Sequence, residues 1–238
     1  MALYAIADLH LPLGIDKPMD KFGSAWANYV ERLAENWQHT VKPYDTVMIP
    51  GDFSWATYLE QSIKDFEFLN NLNGRKIISK GNHDYWWTTM SKLGKFVSDF
   101  GFENIMFMQN NSYVYDKTAL CGTRGWLPPE CDKFTENDRK IFDREVLRLE
   151  LSLKQAQKKI ESGECDEIYV FLHYPPMSEK RTDNSLTALL AEYNVKKTIY
   201  GHLHGRAHQS AVTGMHNGIE YILASADYLQ FMPKKLKD

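Results

Sequence analysis

Cysteine is scarce, with only Cys121, Cys131 and Cys165 in 238 residues. An odd number without metal-type spacing excludes a disulfide framework and is expected of a chain kept in a reducing compartment, best matched by the cytoplasm. A charge excess of either sign is also missing: 28 basic against 31 acidic residues leave a net charge of −3. There is thus no global electrostatic footprint for nucleic acid or membrane. No apolar run approaches the roughly 20 residues needed to cross a bilayer. The N-terminal run Met1–Ala7 has no basic leader and is interrupted by Asp8, unlike a secretory signal. Repeats and low-complexity linkers are absent, so one domain over residues 1–238 is expected, with 43% hydrophobic residues to fill its core. The tail Lys234-Lys235-Leu236-Lys237 is locally basic and reads as a solvated end.

What the chain does have is short apolar segments that stop at polar, chemistry-bearing residues. Leu3 to Ala7 reads as a strand followed by Asp8-Leu9-His10, and alternation along an extended chain would point Asp8 and His10 the same way. Thr46 to Ile49 runs into Pro50-Gly51-Asp52, and Lys76 to Ser79 into Gly81-Asn82-His83-Asp84. A tight turn accounts for Gly81 and Asn82, but not for an imidazole and a carboxylate next in line. Ile168 to Leu172 abuts His173, and Lys197 to Tyr200 leads into Gly201-His202-Leu203-His204. Tyr221 to Leu223 is the best strand beyond them.

Helical stripes lie between the strands. From Ser24 as N-cap, Trp26, Val30, Leu33 and Trp37 predict a helix ending before Pro43. Leu59 to Leu69, Leu93 to Phe100 and Leu186 to Tyr193 predict three more. Ser112 to Tyr115 and Thr118 to Cys121 flank Asp116-Lys117 as a hairpin. Phe142 to Ile160 predicts a long surface helix, its apolar stripe facing the core or acting as a lid or partner surface. Strands alternating with helices imply an α/β fold with parallel strands.

Ligands bind beyond the carboxyl ends of such strands. Five ends would therefore assemble Asp8, His10, Asp52, Asn82, His83, His173, His202 and His204, whereas His39, His208 and His216 lack such context. Mixed oxygen and imidazole donors suit Mn²⁺, Fe, Zn²⁺, Co²⁺ or Ni²⁺ better than Mg²⁺ or Ca²⁺. Seven ligands exceed one tetrahedral site; two metals sharing a bridging carboxylate would use them, leaving His83 as an acid or base.

As an ordered set, Asp8-x-His10, Gly51-Asp52, Gly81-Asn82-His83-Asp84, His173 and Gly201-His202-x-His204 resemble the motifs of the calcineurin-like metallophosphoesterases. The resemblance implies a four-layer αββα sandwich of two mixed sheets flanked by helices. It also implies one metal held by Asp8, His10, Asp52 and His204, and a second by Asp52, Asn82, His173 and His202, with Mn, Fe or Zn the expected ions. The reaction it implies is phosphoester hydrolysis by a hydroxide bridging the metals, with His83 hydrogen-bonding or protonating the leaving oxygen. Asp84 would orient His83 or cap the turn.

Substrate choice is less legible. Phe53-Ser54-Trp55 stands where protein phosphatases carry Asp-Arg-Gly, and Asp84 where they carry Glu, which disfavours protein substrates. The lipid A pathway pyrophosphatases carry Arg at the His83 position, and the capping regions and basic surfaces of nuclease-type members are missing. A small phosphate ester is expected, a phosphodiester ahead of a monoester, with a nuclease-type phosphodiesterase or a non-catalytic metal-binding scaffold as alternatives. Arg124 and Arg206 are candidate phosphate contacts or surface ion pairs. Trp55, Tyr85, Trp86, Trp87, Trp126 and Tyr174 would either line the site or fill the core.

Overall fold

The computed structural model describes residues 1–19, 21 and 23–238. The chain divides into two compact units, Met1–Phe107 with Ala224–Asp238, and Met108–Leu223. Each is built around its own mixed sheet, of five and six strands.

In the first unit, β1 (Leu3–Ala5), β2 (Thr46–Pro50) and β3 (Arg75–Ser79) are parallel neighbours, followed in the sheet by β4 (Ile105–Met108). Helices α1 (Tyr29–Thr40), α2 (Ile63–Asn71) and α3 (Met90–Asp99) supply Leu33, Trp37, Phe66, Leu69 and Leu93 to a core that includes Val47, Ile49 and Ile78. Leu3, Ala5, Met48 and Ile77, on the alternate positions of the same strands, are equally buried. Burial on both faces explains why these strands read as continuous apolar runs rather than alternating ones. Trp37 is fully buried and its indole N–H donates to the Asn73 carbonyl at 2.9 Å, so its one polar atom is satisfied.

The second unit begins with the hairpin of β5 (Ser112–Tyr115) and β6 (Thr118–Thr123). Helix α4 (Glu136–Glu161) packs Phe142, Leu149, Leu153 and Ala156 into its core. β7 (Glu167–Leu172), α5 (Ser185–Glu192), β8 (Lys197–Tyr200), β9 (Gly214–His216) and β10 (Ile219–Leu223) follow, in the sheet order β5-β6-β7-β8-β10-β9. The inner strands β6, β7, β8 and β10 are parallel and the two edges antiparallel. A Cβ at Gly122 on β6 would collide with the Phe171 carbonyl on β7, so the close approach of these strands requires glycine there.

The chain then returns to the first unit, where β11 (Lys234–Lys237) pairs antiparallel with β1. Lys234 and Lys235 are exposed, as read for a solvated end, but the segment is an edge strand with Leu236 buried, where charge discourages further pairing. Three helix and strand readings also change. Ser24–Trp26 is a 3-10 turn and α1 starts only at Tyr29, because Asn28 takes a left-handed conformation (φ 49°) between them. Helix α4 starts before Phe142, at a capping box of Thr135 and Asp138. β4 had no counterpart in the sequence reading. No helix among the described residues is long and apolar enough to cross a membrane.

Candidate metal centre

β1 ends at Ala5, and the residues after it leave the extended conformation: Asp8 has φ 60° and His10 φ 47°. Side-chain alternation is therefore not what aligns Asp8 with His10. They are held by the loop after β2, since the Asp8 N–H donates to the Gly51 carbonyl at 3.0 Å and the His10 N–H to the Asp52 carbonyl at 2.9 Å. Tyr29 on α1 donates its hydroxyl to the His10 carbonyl at 2.5 Å. Asp52 itself sits at φ 52°. Left-handed backbone in non-glycine residues costs energy and concentrates where a site must present side chains in one geometry.

The strained backbone brings ligand atoms together. An oxygen of Asp8 lies within 4.8 Å of a ring nitrogen of His10 and within 4.8 Å of an oxygen of Asp52. His10 Nε2 is 3.7 Å from Asp52 Oδ2. All three residues are buried. Two buried carboxylates held this close repel one another unless a cation or proton intervenes. With an imidazole nitrogen within 4.8 Å of an Asp8 oxygen and 3.7 Å of Asp52, the donor set fits a transition metal ion.

The loop Gly81-Asn82-His83-Asp84 after β3 is tied to this cluster through backbone and carboxylates. His83 donates its backbone N–H to Asp52 Oδ1 at 2.8 Å. Asp84 is fully buried and accepts hydrogen bonds from the N–H groups of Asp52 (2.9 Å), Phe53 (3.0 Å), Ser54 (3.3 Å) and Gly81 (2.7 Å), and from the Trp86 indole (3.0 Å). These bonds pin the backbones of the loops after β2 and β3 to one carboxylate. The His83 ring lies 4.5 Å from that of Trp55 and 5.7 Å from that of His10, and Trp55 stacks on His10 at 4.4 Å. Lys17 Nζ covers Trp55 at 3.0 Å from the ring centre. Of the flanking aromatics, Trp86 is core and Tyr85 is exposed.

Asp65 was not singled out by sequence reasoning, because nothing on α2 separates it from that helix's solvated positions. It is fully buried, accepts from the Leu13 N–H at 2.8 Å and is bonded to the Ser54 hydroxyl. It thereby braces the loop beyond His10 against the loop beyond Asp52. Burial pushes its carboxyl up to about 7.

In the second unit, parallel β7 and β8 end side by side in His173 and Gly201-His202-Leu203-His204. His202 has φ 73°, and its Nδ1 stands 3.2 Å from Nε2 of the buried His173. The backbone N–H groups of His173 and Tyr174 both donate to the Arg124 carbonyl, at 3.0 and 2.9 Å, and the Tyr174 ring lies 4.1 Å from that of His202. His204 precedes the 3-10 turn Gly205–Ser210, where Arg206 is exposed. Arg124 points its guanidinium at buried Glu145 (3.3 Å) and covers Trp126.

The fold has solved relatives at low sequence identity. A protein of unknown function from Aquifex aeolicus is 15% identical with a TM-score of 0.51, over 98% of this chain and 95% of its own. The phosphopantetheinyl hydrolase of Mycobacterium tuberculosis is 12% identical with a TM-score of 0.56, over 99% and 95%. A Thermus thermophilus protein is 9% identical with a TM-score of 0.53, over 99% and 97%. No curated protein matches the chain in sequence. The family model of the calcineurin-like phosphoesterases matches residues 1–206, a span that begins before Asp8 and ends beyond His204, and the chain belongs to that family.

Proposed function

We propose that the chain hydrolyses a small phosphate ester, a phosphodiester in preference to a monoester, at a centre of two transition metal ions. Family membership gives the reaction class, a phosphoric ester hydrolase. The observation that carries the reading is the cluster of Asp8, His10 and Asp52, two buried carboxylates and an imidazole on a left-handed backbone. Asp8, His10, Asp52 and His204 would hold one ion, and Asp52, Asn82, His173 and His202 the other. When bound, the ions supply charge for the phosphoryl oxygens and lower the pKa of water from 15.7 towards about 7.

The remaining work falls to the chain's own residues. As the oxygen of water bonds to phosphorus and the ester P–O bond breaks, His83 donates a proton to the leaving oxygen, which departs as an alcohol. Trp55 fixes the His83 ring from one side, and the His83 N–H bond to Asp52 fixes its backbone. Asp84 holds the loops on which Asp52 and His83 stand. Of the two arginines Arg206, which is exposed, is the one proposed to meet a phosphate from solution, since the pairing of Arg124 with Glu145 supports a structural role.

The test is turnover of bis-p-nitrophenyl phosphate and p-nitrophenyl phosphate by Mn²⁺-reconstituted protein. Faster diester cleavage is expected. Turnover of neither ester, with metal bound, would move the protein to the scaffold reading.

A further inference from the structure

A cavity of about 430 Å³ lies wholly within the second unit and reaches His202. Its size falls in the range of pockets that take a drug-sized molecule, far more than a bare phosphate occupies. Leu127, Tyr174, Pro175, Met177 and Leu203 give it an apolar wall. Nothing in the hydrolytic mechanism uses these side chains. Its charged lining is Glu130, Asp132 and Glu179 against Lys133 and Lys180, which leaves it one charge negative. Three of these groups are engaged within the protein: Glu130 accepts from the Ser178 N–H at 2.7 Å, and Lys180 donates to Asp132 at 3.0 Å.

We infer that this cavity is the leaving-group pocket, and that the substrate is the phosphate ester of an uncharged, mainly apolar alcohol. The inference rests on the proposed placement of a metal ion at His202, which puts the phosphoryl group at one end of the cavity and the ester's organic part along it. An apolar wall of this extent rewards burial of an aryl or alkyl group. Carboxylates outnumber lysines in the lining, so it offers no net positive charge to hold a second phosphate, as a nucleoside polyphosphate or nucleic acid would need. Along the apolar wall itself, a sugar's hydroxyls would lose water without gaining partners.

The pocket can be tested without turnover. Calorimetric titration of metal-free protein with 1-naphthol, the alcohol of 1-naphthyl phosphate, is expected to show one binding site. Leu127→Asp places a charge in the wall and is expected to weaken binding by about tenfold or more. Leu127 is only half-buried, so both this variant and the space-filling Leu127→Trp, expected to weaken binding likewise, should fold; circular dichroism melting checks that they do. Naphthol affinity unchanged in both folded variants, or no binding to the wild type, would overturn the pocket. Reconstituted wild-type protein should also cleave 2-phenylethyl phosphate with a higher kcat/KM than glycerol phosphate, both being esters of alkyl alcohols that differ in apolar surface rather than in being aryl or alkyl leaving groups, and the reverse order would overturn the substrate class. Naphthol binding that responds to Leu127 in a protein that cleaves no ester would leave the pocket standing and remove the hydrolase reading instead.

Discussion

The buried carboxylate of Asp84 and the backbone N–H of Asp52, which lies 32 residues earlier in the chain, are joined by a 2.9 Å hydrogen bond. The same carboxylate takes the N–H groups of Phe53, Ser54 and Gly81, so two loops that carry candidate ligands converge on one side chain. Asp84→Ala would leave these donors buried without an acceptor, at a cost of about 3 kcal/mol or more. A lowered urea midpoint is expected, together with weaker Mn²⁺ binding because Asp52 loses its anchor. Wild-type stability and metal affinity in a folded Asp84→Ala protein would show that the loops are held by other means.

Gly81 is required by space rather than by backbone angle. A Cβ there would strike the carboxylate and backbone nitrogen of Asp52. Gly81→Ala is therefore expected to displace Asp52, costing about 1–3 kcal/mol of stability as overpacking does. Calorimetric Mn²⁺ titration of the variant should show at least one ion lost or weakened, and unaltered binding would contradict the close approach.

Asp65 makes stability depend on pH in a direction opposite to that of most aspartates. Its folded-state pKa is raised to about 7 by burial, while in the unfolded chain it keeps the ordinary carboxylate value. The folded protein then holds an extra proton between about pH 4 and 7, so the contribution is complete below that window and is lost as pH rises through it. Asp65→Asn mimics the protonated form and should flatten this slope, removing a difference on the order of a few kcal/mol. Urea unfolding at pH 5 and pH 8 checks it, and identical slopes for wild type and variant would rule the effect out.

The strand ends that carry the candidate ligands were legible in the sequence because each motif follows an apolar run that tertiary structure also uses as a strand. His173 and His202 follow β7 and β8, and Asp52 follows β2, as read. The geometry that aligns Asp8 with His10 was not legible, since it comes from left-handed backbone braced by a loop more than forty residues away in sequence. β11 was missed for a similar reason: Lys234–Lys237 offers a single apolar residue, and only its pairing with β1 makes it a strand. Asp65 looks like part of a polar helix face until the Leu13 and Ser54 loops close over it. Thr135 and Asp138, by contrast, were a readable start signal for α4.

The most direct measurement is metal content alongside diester turnover in Mn²⁺-reconstituted wild type, Asp52→Ala and His83→Ala. Wild type is expected to hold two ions per chain and cleave the diester. Asp52→Ala should lose metal and activity together, whereas His83→Ala should keep both ions and lose roughly 10²–10⁴-fold in kcat, the usual contribution of a general acid. A wild-type ratio near one ion per chain, or a folded His83→Ala protein without metal, would contradict a dinuclear centre served by His83.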